Sequence, residues 1–263
     1  TPFRSVSIDV LVAEKAALTP DAPAVIYHGR TVTFAQLEAR ACAIAGQLQR
    51  AGAVSGDRIG LCCRRTPELF AAMLAILKNG CAYVPFLPEF PQKRVEYMLS
   101  DAEASMVLCD RECESAAKSG GVRSLVMTQE EAPFTPPKSA GKLMYILFTS
   151  GSTGRPKGVM VSRRAAANYI VSMGEILSRD DGPIMCVTNM TFDIFLAEGL
   201  LPLSMGRTVV LSDEDERTLP WRMAQCITDG NVTTMQITPS QLQMSLGSQE
   251  FREAVKNIKL MFI

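Results

Sequence analysis

The side chains best suited to phosphate chemistry lie in one ten-residue segment, Thr149-Ser-Gly-Ser-Thr-Gly-Arg-Pro-Lys-Gly158. A loop rich in Gly, Ser and Thr presents backbone N–H groups and hydroxyls without bulky side chains in the way, and such a concavity binds anions. Thr149, Ser150, Ser152 and Thr153 can donate hydroxyl hydrogen bonds, and Lys157 adds a mobile positive charge. Gly151, Gly154 and Gly158 are expected to supply the positive φ angles and close backbone approach that wrapping a triphosphate demands. Gly/Ser/Thr clusters also serve as plain surface linkers. The apolar run Tyr145-Ile-Leu-Phe148 directly before the loop, and Pro156-Lys157-Gly158 within it, favour a phosphate loop fed by a buried strand. The spacing does not fit Gly-x4-Gly-Lys-Ser/Thr, because Arg155 follows Gly154 and Gly158 follows Lys157, so a motor or GTPase loop is excluded.

Apolar periodicity and turn chemistry supply the elements that must position this loop. A helix is expected over 7–17, then a hairpin of Ala24–Tyr27 and Thr31–Thr33 turning at His28-Gly-Arg30, with Thr33 capping a helix that ends near Gly52. Strands and helices then alternate: strand 58–62, helix 68–78, strand 82–85, helix 92–101, strands 105–109 and 124–127. Prolines 133, 136 and 137 make 130–140 a surface connection. Beyond the loop come strand 159–161, helix 163–177, strand 184–187, helix 193–201, strand 208–211, helix 220–228, strand 233–237, helix 239–246 and a final strand. Alternation of this kind implies an α/β fold with layered, mostly parallel sheets joined by crossover helices.

The 263 residues balance 27 basic against 27 acidic side chains, so nothing suggests a polyanion-binding surface, and no nucleic-acid partner is expected. The basic pairs Arg64-Arg65 and Arg163-Arg164 are isolated and read as solvated edges. Eight cysteines in a chain this long, without a signal peptide, read as reduced core residues of a cytoplasmic protein. Cys109 and Cys113 are four apart, but with one histidine in the chain, His28, no metal site is assigned. The longest apolar run, 70–77, is far short of the roughly 20 residues that cross a bilayer, so no membrane association is expected. The chain begins at Thr1 and stops inside Ile258-Lys-Leu-Met-Phe-Ile263, which reads as an excised portion of a longer polypeptide.

The segment 149–158 is similar at all ten positions to the phosphate-binding signature of the acyl-adenylate-forming (AMP-binding) superfamily. Leu77-Lys-Asn-Gly-Cys-Ala-Tyr-Val-Pro85 resembles the Leu-Lys-Ala-Gly-x-Ala-Tyr-Val-Pro motif of nonribosomal peptide synthetase adenylation domains. Pro88, Pro91, Arg94 and Met98 follow at the family's places. Thr33-Phe-Ala-Gln-Leu37 looks like the first core motif of those domains and Phe192-Asp193 like the start of the fourth. Departures are Phe195 where serine is frequent, Asn79 for alanine, and Ser162-Arg163 for a histidine-bearing step.

The resemblance implies the N-terminal core subdomain of an adenylation domain over 1–263, without the C-terminal lid, and so without useful activity alone. It implies ATP-dependent activation of an amino acid as aminoacyl-AMP, with Mg²⁺ assisting, for loading onto a carrier-protein thiol in the parent chain. Thr149 and Lys157 would act in catalysis, and with Ser150, Gly151, Ser152, Thr153 and Gly154 they would hold ATP. Asp193 resembles the aspartate that holds the substrate α-ammonium; a carboxylate ~4 Å from an ammonium at an effective dielectric near ~20 gains roughly 4 kcal/mol before desolvation. The same carboxylate could serve as a helix cap. Ile194, Ala197, Gln236 and Phe262 would line the side-chain pocket, and the small Ala197 leaves depth for a medium or large neutral side chain. Two other readings share the loop: a freestanding acyl-CoA or aryl-acid ligase, and a non-catalytic ATP-binding module.

Overall fold

A computed structural model describes residues 6–150 and 155–263. Its strands are β1 (Pro23–Tyr27), β2 (Arg30–Thr33), β3 (Arg58–Cys62), β4 (Ala82–Pro85), β5 (Met106–Cys109), β6 (Ser124–Val126), β7 (Leu143–Thr149), β8 (Lys157–Ser162), β9 (Ile184–Cys186), β10 (Val209–Leu211), β11 (Thr234–Gln236) and β12 (Leu260–Phe262). They form two sheets, ordered β6-β5-β3-β4-β7-β8 and β12-β11-β9-β10-β1-β2, each parallel except for one antiparallel pair at its edge. The expected α/β class with mostly parallel sheets is what the chain adopts. It divides into two compact units, one within residues 1–10, 38–64 and 68–168, the other within 11–37, 65–67 and 169–263, each holding one sheet.

In the first unit, β3, β4 and β5 are almost wholly buried, and Val84, Phe86, Val95, Leu99, Val107 and Ile146 pack into one core beneath helix Gln92–Asp101. The connection over 130–140 is held by the helix Phe34–Arg50: Gln47 Nε2 donates to the carbonyls of Thr128 (3.0 Å) and Glu130 (2.8 Å), and Gln49 Nε2 to that of Thr135 (2.6 Å). Asn79, one of the departures from the family pattern, is buried, and its Nδ2 donates to the carbonyls of Ala45 (3.1 Å) and Ala75 (3.0 Å).

Arg163 overturns the reading of its pair as a solvated edge. Its Nη2 donates to the carbonyls of Leu77 and Cys81, each at 2.9 Å, and its Nη1 to Ser7 Oγ (2.6 Å) and Asp9 Oδ1 (3.2 Å). Burial pulls the Arg163 guanidinium below its ordinary pKa, with Asp9 opposing that shift. Only Arg164 is exposed.

In the second unit, His28 and Gly29 take positive φ (49° and 68°) at the expected hairpin turn, and Thr33 caps the following helix with Gln36 answering, Gln36 N to Thr33 Oγ1 at 3.2 Å and Thr33 N to Gln36 Oε1 at 3.0 Å. Arg207 and Asp180, both buried, form a knot with Thr234: Arg207 Nη2 to Asp180 Oδ2 is 3.2 Å, and Thr234 Oγ1 to the same oxygen is 2.7 Å. Burial would raise the Asp180 pKa, but hydrogen bonds from Thr233 and Thr234 and the charge of Arg207 outweigh it and hold the carboxyl below its usual value. Three short helices, Glu114–Lys118, Glu214–Thr218 and Gln249–Ala254, were not expected, being too brief to show periodicity. The expected helix over 193–201 is two helices, Ile194–Glu198 and Leu200–Met205, broken at Gly199 (φ −115°, ψ −86°).

Among the described residues no helix is long and apolar enough to cross a membrane. The eight cysteines are free thiols, seven of them buried.

Replacing Arg163 by alanine strands two buried carbonyls and the Asp9 carboxylate, and is expected to cost about 3 kcal/mol in urea unfolding of the chain. Arg163→Lys, which keeps the charge but not the fork, should recover less than half of that loss.

Candidate functional site

The β7–β8 hairpin flanks the segment expected to bind phosphate. Met144 to Phe148 are buried, and the next two residues, Thr149 and Ser150, are exposed, so their hydroxyls emerge where the core stops. Antiparallel pairing puts Phe148 opposite Gly158 and Thr149 opposite Lys157. That register brings the expected hydroxyl and ammonium groups together at the base of the loop, and Lys157 is exposed with no ion pair among the described residues. Gly151, Ser152, Thr153 and Gly154 lie outside the described residues.

Gly158 corrects the expectation of positive φ. It lies within β8 and is absent from the positive-φ glycines; a Cβ there would stand 3.1 Å from both Ile146 Cγ2 and Phe148 Cζ. Glycine suits this close approach, because any Cβ would press on the Ile146 and Phe148 side chains.

The second site lies wholly in the second unit, at the carboxyl ends of the parallel strands β9, β11 and β12. A cleft of ≈ 190 Å³ is lined by Val187, Thr188, Phe192, Ile194, Arg217, Gln236 and Gln241, among others. Of the expected pocket residues, Ile194 and Gln236 therefore share one cleft. Phe262 is the register partner of Gln236 across β11 and β12. Ala197 is buried one helical turn beyond Ile194 and is not part of the cleft wall. Asp193, exposed between the wall residues Phe192 and Ile194, caps helix Ile194–Glu198, its Oδ1 accepting from Ile194 N at 2.9 Å. The capping use of this carboxylate is thus real, and the group remains open to solvent.

Behind the cleft stand charged groups that sequence reasoning missed. Glu198 is 1% exposed; its Oε2 accepts from Val187 N (2.8 Å) and Thr188 N (2.7 Å), and its Oε1 from Thr188 Oγ1 (2.7 Å). Burial drives its pKa up, against those hydrogen bonds and the charge of Arg65. Arg65, expected on a solvated edge, donates Nη1 to Thr188 O (2.5 Å), Nε to Ser212 O (2.6 Å) and Nη2 to Cys186 O, with its guanidinium 6.0 Å from the centre of the Phe195 ring. Phe195, the departure from serine, fills this buried space. Arg217 Nε donates to Val187 O at 3.0 Å, and Gln241 Nε2 to Arg217 O at 2.6 Å. One signal was available: Glu198 is the only charged residue in the otherwise apolar run 194–203, and a lone carboxyl there must find buried partners.

A family model described as AMP-binding enzyme matches residues 12–262. The chain belongs to that family. It is 38% identical over 243 residues to tyrocidine synthase 3 of Brevibacillus parabrevis, covering 89% of this chain and 4% of that protein. It is 34% identical over 247 residues to a dimodular nonribosomal peptide synthase of Bacillus subtilis (strain 168), covering 89% of the chain and 10% of that protein. This AMP-binding family member also superposes on the nonribosomal peptide synthetase FmoA3 in its α-methyl-L-serine-AMP bound form, with TM-score 0.88 and 28% identity over 99% of this chain and 30% of that one. A four-domain nonribosomal peptide synthetase bound to AMP and glycine matches with TM-score 0.82 and 27% identity, over 93% of this chain and 18% of that one. The chain thus spans a small part of the synthetases it matches.

Valine at position 158 would press a branched Cβ against Ile146 and Phe148 and is expected to destabilise the chain by about 2 kcal/mol and to weaken ATP binding measured by calorimetry. A Gly158→Val chain as stable as the wild type, with unchanged affinity, would refute the packing account.

Proposed function

We propose that this chain forms the core of an amino-acid adenylation domain of a nonribosomal peptide synthetase. An amino-acid carboxylate oxygen attacks the α-phosphorus of ATP, the bond to the β-phosphate breaks, and aminoacyl-AMP and pyrophosphate result. The observation that carries the reading is the exposed carboxylate of Asp193, set between two residues of a mostly uncharged cleft in a chain that also carries the hairpin-based phosphate loop. A carboxylate at the cleft edge suits an α-ammonium and gives an acid without an amine nothing to pair with. The cleft wall of Val187, Ile194 and Ile237, with Gln236 among them, suits a medium or large neutral side chain that Gln236 can hydrogen-bond.

Such chemistry needs positioning and charge neutralisation rather than a protein nucleophile. Lys157 and the hydroxyls of Thr149 and Ser150 fit a polyphosphate, because all three are exposed at one end of the hairpin and Lys157 has no protein anion among the described residues to neutralise it. Ser152, Thr153 and the glycines Gly151 and Gly154 complete the donor set in sequence. No carboxylate occurs between 149 and 158, so Mg²⁺ would be carried in by the triphosphate oxygens, spreading the charge that develops on the leaving pyrophosphate. The similar synthetases bound to α-methyl-L-serine-AMP, or to AMP and glycine, support the same reaction. In this reading the chain is the N-terminal core of the domain, a separate C-terminal lid and a peptidyl carrier domain complete the machine, and the protein works in the cytoplasm.

ATP–pyrophosphate exchange by the full polypeptide, run over the proteinogenic amino acids, tests it. A medium or large neutral amino acid is expected to win, and Asp193→Asn should raise its KM about 100-fold, equivalent to ~2.7 kcal/mol. Exchange best supported by glycine, alanine or an acidic residue would overturn the pocket assignment, and exchange independent of any amino acid would overturn the function.

A further inference from the structure

Glu198 is an expensive residue to bury. It sits at the last position of helix Ile194–Glu198, where the carbonyl dipoles disfavour an anion, and it is surrounded by the buried side chains of Phe195, Leu196 and Leu200 in sequence. Its three donors explain the placement. Val187 and Thr188 follow the last residue of β9, where the ladder has ended, and both of their N–H groups converge on the single oxygen Oε2 while the Thr188 hydroxyl meets Oε1.

Those donors belong to the cleft. Val187 and Thr188 form one part of its wall, while the helix that ends at Glu198 starts at the cap Asp193 and places Ile194 in another part. One buried carboxyl therefore ties the strand end to the helix across the intervening residues 189–193. Arg65 completes the hold from the opposite side of the same residue, donating to Thr188 O, so that the N–H of Thr188 is fixed by a buried carboxylate and its C=O by a half-buried guanidinium.

We propose that Glu198 is a positioning residue for the amino-acid substrate: it fixes the segment from Thr188 to Asp193, and with it the direction of the Asp193 carboxylate, without touching the substrate itself. The proposal rests on the amino-acid reading of the cleft. It makes a separable claim, because the phosphate-loop hairpin shares no residue with this lock, so ATP binding should not feel it.

The test uses exchange kinetics of the full polypeptide. Glu198→Met, similar in length but with no acceptor for two buried N–H groups, should raise the amino-acid KM at least 10-fold and leave the ATP KM within about 2-fold. Glu198→Gln should return the amino-acid KM to within about 3-fold of wild type, because its carbonyl can accept both N–H groups and its amide can donate to the Thr188 hydroxyl. If Glu198→Met does not fold, Glu198→Asp carries the same test with a carboxylate one methylene short. A parallel rise in both KM values, or no rise in either, overturns the positioning role, as does a Gln variant no better than Met. A wild type that exchanges with no amino acid overturns the proposed function instead; the lock is then read by amide hydrogen exchange at Val187 and Thr188 in the 263-residue chain. Exchange at least 10-fold faster in the Met variant supports the lock, and unchanged protection overturns it.

Discussion

Strands of a parallel sheet end in backbone groups that have lost their ladder partners but are still buried, and such groups cost free energy unless something else bonds them. Here long charged side chains reach those ends. Arg163 takes the carbonyl of Cys81 just before β4 and that of Leu77 at the end of helix Pro67–Lys78, Arg65 takes Cys186 at the end of β9 and Thr188 and Ser212 beyond β9 and β10, Arg207 takes Gly182 before β9 and Leu177 at the end of helix Arg163–Leu177, and Glu198 takes the N–H groups of Val187 and Thr188. Each is a charge removed from water for its hydrogen-bonding reach, which hydrocarbon of similar size could not supply. The guanidinium fork suits carbonyls, and the carboxylate suits paired N–H groups.

The same strand ends are where the candidate site residues emerge. β7 leaves the core at Phe148 and delivers Thr149 and Ser150 to the surface, while β9, β11 and β12 deliver Val187, Gln236 and Phe262 at their carboxyl ends. Open α/β sheets bind ligands beyond the carboxyl ends of their strands because side chains and loops there are free of the ladder. Each of the two units therefore presents one part of the candidate site, exposed hydroxyls and a lysine ammonium in the first and an exposed carboxylate beside a mostly uncharged cleft in the second. In the second unit, the strand end and the helix that flank Asp193 are held from behind by Glu198 and Arg65.

Much of this was legible in the residues. The hairpin at His28-Gly29, the Thr33–Gln36 cap and helix Gln92–Asp101 follow from local turn chemistry and period, and those are the elements the structure reproduces closely. The segment 149–158 stood out because its residue types and spacing by themselves point to phosphate chemistry. Three kinds of feature were hidden. Helices of five or six residues, such as Glu214–Thr218, complete too few turns to show a period, although Asp213-x-x-Glu216 carried a capping signature. The roles of Arg65 and Arg163 depend on carbonyls up to 147 residues away in sequence, which no local pattern encodes. Gly158 looked like a conformational glycine and is a packing one, a distinction visible only once Ile146 and Phe148 are in place beneath it.

The central claim is that Asp193 recognises an amine while the Thr149–Gly158 hairpin holds phosphate. A crystal structure of the full polypeptide with a non-hydrolysable aminoacyl-adenylate analogue tests both halves at once. The account requires a carboxylate oxygen of Asp193 at about 2.8 Å from the ligand α-nitrogen, with the ligand side chain against Ile194 and Gln236. An α-nitrogen bound elsewhere, with Asp193 serving only as the cap of Ile194 N, would contradict it.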